Sequence, residues 1–478
     1  MKMIICGKEV DASDKTTMDI VNPYTGEVID TVPNATEKDV DTAVKAANRA
    51  FPAWAEVSVV KKVEILKKFL NLVDENKNKL ALTLCKETGK PLTQAIAEIG
   101  NIRIGFESFM ERAKHLYGEV IPFGTEAGND KTLQLTLREP VGVIAAIIPF
   151  NFPCDLFDQK VAPSLLAGNT VVVKPPHQNP LTLIKLVELL HKAGIPKNVI
   201  HVVTGEGPKS GNALASHPLV HKITFTGSTA VGIKTYQNAA NHLAHISLEL
   251  GGNDAFIVLN DADIDLAVEE MVWGRMYNNG QVCCASKRFL IQRDVVETFV
   301  AKAKARLKKL VVGDPTNKAT EISCLVTEYA AKCVEQQIKN VVAQGGKLVV
   351  GGKRKGAFIQ PTIITDIPAT ADVATDDEIF GPVVSIIPFD TVEEAIKIAN
   401  ASKYGLCGCV FTKDIKTAFN VVKKLECGGT VINGASFFRS FEMPFGGYKF
   451  SGIGTEGTMT TFNEVTKIKT VTLKNILD

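Results

Sequence analysis

Two hydrophobic periodicities divide the chain. In the first 118 residues Val63, Leu66, Phe69, Leu70 and Val73 recur at three- and four-residue spacing, the apolar stripe of an amphipathic helix, and this stretch reads as mostly helical. From Pro140 the pattern changes to short continuous apolar runs, Val141–Ile148, Thr170–Lys174, Ile200–Val203, Ile223–Phe225 and His245–Leu248, separated by helix-length segments. Runs that are apolar on both faces belong to strands buried on both sides, so this region predicts βα units around a parallel sheet. A second alternation begins near Asp254, with strands predicted at Ala255–Leu259, Arg288–Ile291 and Val383–Pro388 and helices at Ala267–Tyr277 and Val295–Leu307. Lys131–Leu137, after the turn signal Gly128-Asn-Asp130, and Thr466–Leu473 instead alternate with period two, as half-buried strands do. Two such strands apart from the parallel sheets suit an arm that pairs with another subunit. The expected architecture is two α/β domains in tandem with a β-arm.

Composition narrows the function classes. The 478 residues are 45% hydrophobic and 22% charged, which fits globular domains and excludes wholesale disorder. The net charge of +2 lacks the basic excess of a nucleic-acid binder. The longest apolar run, Val141–Phe150, is too short for a membrane helix, and no signal-peptide core precedes Gly7, Lys8 and Glu9. The ten cysteines include no CxxC pair, so no metal site is expected and a reducing cytoplasm fits best.

Several short strings carry candidate chemistry. Cys283, in Asn279-Gly-Gln-Val-Cys-Cys284, lies in a Gly-containing loop between a helix-length segment and a strand, with Lys287 and Arg288 close by. A reactive thiol needs access and an electropositive setting; the alternative is a pair of inert buried cysteines. Glu249, in Leu248-Glu-Leu-Gly-Gly-Asn253, is a carboxylate set between leucines before two glycines. Partial desolvation would raise its pKa and suit it to general-base work; the alternative is a solvated strand-end acid. Asn151 follows an apolar strand at the end where open α/β sheets hold ligands, and its amide suits an oxyanion, or else it is a turn Asn. Lys174 closes another strand, placed for a nucleotide or for solvent. The glycines of Thr204–Gly211 miss the dinucleotide fingerprint by one residue, whereas Phe225-Thr-Gly227-Ser228-Thr229 ends a strand and opens a helix, placed for a pyrophosphate or for simple capping.

Phe-Asn-Phe-Pro at 150, Val-Lys-Pro at 173, Phe-Thr-Gly-Ser at 225, Leu-Glu-Leu-Gly-Gly at 248, Gly-Gln-x-Cys at 280, Glu-x-Phe-Gly-Pro at 378 and Pro-Phe-Gly-Gly at 444 occur in one chain. In order and spacing they resemble the aldehyde dehydrogenase superfamily over essentially the whole chain. The resemblance implies a Rossmann-like cofactor domain (1–118 and 140–249), a second α/β catalytic domain (250–450) and an oligomerisation β-arm (119–139 and 459–478). It implies Cys283 as nucleophile, Glu249 as general base, and Asn151 with the Cys283 N–H as oxyanion hole. The dinucleotide would be held by Ile148, Pro149, Phe150, Lys174, His177, Gly207, Gly227, Ser228, Leu250, Glu378 and Phe380, with Glu378 on the nicotinamide ribose.

Departures from the family pattern sharpen these expectations. Many members carry Glu three residues after the Val-Lys-Pro lysine; here the position is His177, which does not repel an NADP 2′-phosphate. Either NAD or NADP is therefore expected, with NADP use favoured by His177. By family position the substrate pocket involves Phe152, Leu156, Val282, Cys284, Phe438 and Arg439. Arg439 falls where members acting on small hydroxylated or anionic aldehydes, such as lactaldehyde, succinate semialdehyde or glyceraldehyde 3-phosphate, often carry Arg, and Arg103 offers a second charge. The expected activity is oxidation of such an aldehyde to the acid through a cysteine thiohemiacetal and thioester, in a cytoplasmic homodimer or homotetramer. The alternatives are a CoA-acylating semialdehyde dehydrogenase, whose members lack the motif's Glu, and a catalytically silent structural protein on the same fold.

Overall fold

The computed structural model, which describes residues 1–474, contains two large sheets. The first has eight strands, in the order Lys8–Val10, Met3–Ile5, Ile200–Val202, Thr170–Lys174, Val143–Ile147, Lys222–Thr226, His245–Glu249 and Gly452–Ile453. Its five central strands are parallel and coincide with the five apolar runs. In the first four of these, up to Lys222–Thr226, side chains are buried on both faces because helices cover both, which is why the runs are continuous rather than alternating. The chain moves outward from Val143–Ile147 to Thr170–Lys174 and Ile200–Val202, then returns to the other side of Val143–Ile147 at Lys222–Thr226. Strand order thus reverses between Val143–Ile147 and Lys222–Thr226, and a crevice opens beyond their carboxyl ends.

The second sheet has seven strands, ordered Lys347–Val350, Thr362–Thr365, Val383–Phe389, Ser286–Gln292, Asp254–Val258, Cys407–Phe411 and Gly429–Ile432. Only its first pair is antiparallel. The predicted helices appear at Ile264–Met276 and Val296–Leu307. The stripe from Val63 to Val73 lies on the helix Val59–Thr88, started by a Ser58 side-chain cap and ended by Gly89 in the left-handed conformation.

Three findings differ from the expectations. The first 33 residues hold four short strands, Met3–Ile5, Lys8–Val10, Thr17–Val21 and Val28–Pro33, so only residues 37–113 are helical in the way predicted for the whole stretch. Second, the expected arm segment 459–478 opens inside the helix Thr458–Val465, which packs on the helix Pro153–Ala167; the arm strand itself begins at Thr466. That strand, Thr466–Lys474, pairs antiparallel with Thr132–Pro140 in continuous register, and Val120–Ile121 adds a third strand. Residues 475–478 of the expected arm lie outside the described residues. Third, Gly452–Ile453 returns to the edge of the first sheet against Leu248 and Glu249, so chain from beyond 450 closes the cofactor sheet beside the candidate base. Among the described residues no helix is long and apolar enough to cross a membrane.

Candidate active site

Two cavities meet at one cysteine. One, of about 540 Å³, lies in the crevice at the first sheet's carboxyl edge. The other, of about 300 Å³, lies beneath the loop 437–441. Asn151 and Cys283 line both.

The loop that carries Cys283 is tied down by buried hydrogen bonds. Asn278, Asn279 and Gly280 all adopt left-handed backbone, at φ values of 50°, 56° and 79°. Asn tolerates this conformation better than most residues because its short polar side chain bonds locally. Asn278 Nδ2 donates to the Asn151 carbonyl at 2.9 Å, and Asn279 Nδ2 donates to the Cys324 carbonyl at 2.8 Å. At Gly280 a Cβ would lie 2.3 Å from the Gly381 carbonyl, so only glycine fits. Arg275, fully buried, donates to the carbonyls of Val383 and Ile379 and ties this loop to the segment carrying Glu378.

Lys287 points back into the site, while Arg288 does not. The Lys287 ammonium bonds the Cys283 carbonyl oxygen and lies 3.1 Å from Glu378 Oε1. Arg288 turns inward and donates to the carbonyls of Asn253, Ala374, Ile398 and Ala399, a structural role. The Cys283 thiol is lowered to a pKa of about 7, first by a hydrogen bond from the Cys284 thiol and then, against burial, by Lys287 and Arg439. Cys284 is correspondingly pushed well above the ordinary thiol range. These shifts favour the thiolate form at Cys283 with a thiol donor at Cys284.

Asn151 is buried and oriented. Its Nδ2 donates one hydrogen to the Gln281 carbonyl at 3.1 Å, and its own carbonyl accepts from Lys90 Nζ at 2.8 Å. This leaves the second amide hydrogen uncommitted beside Cys283. Glu249, 5% exposed, lines neither large cavity. It faces a polar cavity of about 10 Å³, roughly one water in size, shared with Gln159, Lys160 and Glu456. Its Oε2 has no partner, and burial, reinforced by Glu456, raises its pKa well above the carboxylate range. Gln159 lines both this small cavity and the 300 Å³ cavity, so the two adjoin.

All eleven residues expected at the cofactor line the 540 Å³ cavity: Ile148, Pro149, Phe150, Lys174, His177, Gly207, Gly227, Ser228, Leu250, Glu378 and Phe380. Ser228 stands at the N-terminus of the helix Thr229–Ala240 but its side chain makes no capping bond, leaving the hydroxyl and helix N–H groups to the cavity. Lys174 is buried rather than solvated, with its pKa lowered to about 8 by burial. Glu378 accepts from the Gly252 N–H at 3.2 Å, and Phe380 meets Phe150 edge to face at 5.9 Å. His177 sits at the cavity mouth, where partial desolvation of its ring and then Lys174 lower its pKa below the ordinary histidine value. A helix N-terminus, a buried amine and a carboxylate in one elongated cavity fit a dinucleotide's pyrophosphate and ribose hydroxyls.

All six expected substrate residues, Phe152, Leu156, Val282, Cys284, Phe438 and Arg439, line the 300 Å³ cavity. Arg439 Nη2 donates to Glu456 Oε2 at 2.8 Å and stacks 4.0 Å over Phe445. Arg103, by contrast, faces solvent and pairs with Asp74 and Glu107, so it supplies no substrate charge. Sequence reading missed Trp273 and Tyr277, whose rings pack with Phe152 and with Phe437 of the expected Ser436–Arg439 loop into an aromatic wall. It also missed Glu98, Asn101, Asp155 and Gln159.

If Lys287 stabilises the thiolate, Lys287→Met should raise the pH midpoint of Cys283 alkylation by iodoacetamide and slow the reaction several-fold at pH 7. The same variant should raise the KM for cofactor, because Glu378 loses a fixed partner. An unchanged alkylation profile would show that Lys287 does not act on the sulfur.

The family model described as aldehyde dehydrogenase family matches residues 10–471. The NADP(+) succinate-semialdehyde dehydrogenase GabD of Escherichia coli is 38% identical over 469 residues, 98% of this chain and 96% of that one. The lactaldehyde dehydrogenase of Methanococcus aeolicus is 37% identical over 474 residues, 98% of this chain and 99% of that one. The crystal structure of Staphylococcus aureus betaine aldehyde dehydrogenase in complex with NAD+ superimposes with a TM-score of 0.95 at 34% identity, covering all of this chain and 95% of that one.

Proposed function

The chain belongs to the aldehyde dehydrogenase family, and on that premise we propose a role for each residue around Cys283. The protein is an NAD(P)-dependent oxidoreductase of small aldehydes. The observation that carries the assignment of roles is that Cys283 and Asn151 line both cavities, so a carbonyl placed on Cys283 from one cavity faces the other.

In this reading the Cys283 thiolate adds to the aldehyde carbon and gives a thiohemiacetal. The free Asn151 amide hydrogen and the Cys283 N–H donate to its oxyanion; loss of one such donor costs about 3 kcal/mol. The dinucleotide, held by Lys174, Ser228, Glu378 and Phe380, supplies a hydride acceptor when bound. The thioester left on Cys283 is hydrolysed by a water that Glu249 deprotonates. Glu249 makes the CoA-acylating alternative the weaker reading. Residues 1–118 and 140–249 form the cofactor domain, joined by the return strand near 452, and 250–450 form the catalytic domain. The arm strands join copies of the chain into a homo-oligomer, and the ten free cysteines suit a cytoplasmic location. Carboxylate product should form with NAD(P) in the absence of CoA. A product that requires CoA would overturn the hydrolytic role of Glu249.

The cofactor preference rests on His177. With its pKa lowered, it does not repel a 2′-phosphate, and it offers a 2′-hydroxyl one uncharged acceptor nitrogen in place of a carboxylate's two charged oxygens. NADP should be used at least comparably to NAD. His177→Glu should shift the ratio of kcat/KM values toward NAD by about 1–2 kcal/mol, the scale of one charge-assisted hydrogen bond. Strict NAD specificity in the wild type would show that His177 does not read the ribose.

A further inference from the structure

The polar lining of the 300 Å³ cavity discriminates among small aldehydes. Asp155 and Gln159 stand one turn apart on the helix Pro153–Ala167 and present the same face to the cavity. Asp155 Oδ1 and Gln159 Oε1 are buried acceptors without a hydrogen-bond partner. Across from them, Arg439 enters from the loop above. Around them Lys90 pairs with Glu98, while Lys160 and Arg439 share Glu456, which leaves Arg439 further N–H groups.

Resting on the reading of Cys283 as the nucleophile, we infer that this cavity selects an uncharged aldehyde bearing a hydroxyl group that donates its hydrogen to Asp155 or Gln159 and accepts from Arg439. A hydroxyl is both donor and acceptor, so it matches the mixed lining. A carboxylate would satisfy Arg439 but leave two acceptors facing its charge without a donor, a loss for each buried group. An ammonium would satisfy the acceptors but meet the fixed charge of Arg439. Burial, reinforced by Glu98, raises Asp155 to a pKa of about 7, so this carboxyl becomes acceptor-only as pH rises past neutrality. The aromatic wall of Phe152, Tyr277 and Phe437 accommodates the carbon chain.

The test is a comparison of kcat/KM among aldehydes of matched length with saturating NADP. Lactaldehyde and glyceraldehyde are set against propanal; 4-hydroxybutanal is set against butanal, succinate semialdehyde and 4-aminobutanal. Hydroxylated members should exceed their plain counterparts by tenfold or more and exceed both charged analogues. In Asp155→Leu and in Gln159→Leu, the ratio of hydroxylated to plain aldehyde should fall at least threefold. That ratio is internal to each preparation, so partial misfolding does not change it. Preference for succinate semialdehyde or 4-aminobutanal, or equal use of lactaldehyde and propanal, would overturn the inference while leaving Cys283 as nucleophile. Turnover of every aldehyde in Cys283→Ser at the wild-type rate would instead overturn the site itself.

Discussion

Replacing Cys283 by alanine should lower aldehyde oxidation by at least about 10⁴-fold with either cofactor, the scale seen when a covalent nucleophile is removed. Cys283 is the thiol at the junction of the two cavities, and its pKa of about 7 leaves a substantial thiolate fraction at neutral pH. The neighbouring Cys284 has the opposite character, its sulfur donating to Cys283 rather than attacking. Cys284→Ala should therefore lose activity at pH 7 but recover most of it near pH 9, where Cys283 ionises without help. Cofactor binding, followed by quenching of protein fluorescence, should persist in both variants. Equal losses in the two variants at every pH would mean that the nucleophile has been misassigned.

The sequence carried the parallel strands clearly because burial on both faces leaves no polar interruption: Thr170–Lys174 coincides with its apolar run end to end. The N-terminal strands escaped because Met3–Ile5 and Lys8–Val10 span three residues each, too short to establish a period of two. The site's strand-end residues were legible because strand ends fall at motif positions. The aromatic wall was not, since Trp273 and Tyr277 sit at helical spacing that reads as ordinary core. Arg103 illustrates a resolvable error. At 3.6 residues per turn it lies about 200° around the helix Leu92–Ala113 from Asn101, which lines the cavity, so the two face opposite ways. The inward direction of Lys287 had no such signal, because the strand it occupies is buried on both faces and its contacts come from segments near 283 and 378.

Glu249→Gln should cut steady-state turnover by about 10²–10⁴-fold while sparing the first release of NAD(P)H. Hydride leaves before hydrolysis, so a burst close to one equivalent per active Cys283 should precede the slow phase. The substitution keeps shape and burial but removes the basic oxygen. Burial and Glu456 raise the Glu249 pKa well above its ordinary value, so the group gains its base form only as pH rises. Wild-type turnover should therefore keep climbing with pH above the ordinary carboxylate range wherever deacylation limits the rate, and the variant should lose that part of the slope. Glu249 faces a water-sized cavity that adjoins the substrate cavity through Gln159. A single water there is the species it would activate, so the thioester should persist in its absence. Mass spectrometry of the tryptic peptide containing Cys283 should show an acyl adduct in the variant and little in the wild type. If Glu249→Gln turns over at the wild-type rate with no adduct, deacylation proceeds without this carboxylate, and transfer to a thiol acceptor such as CoA becomes the reading to test.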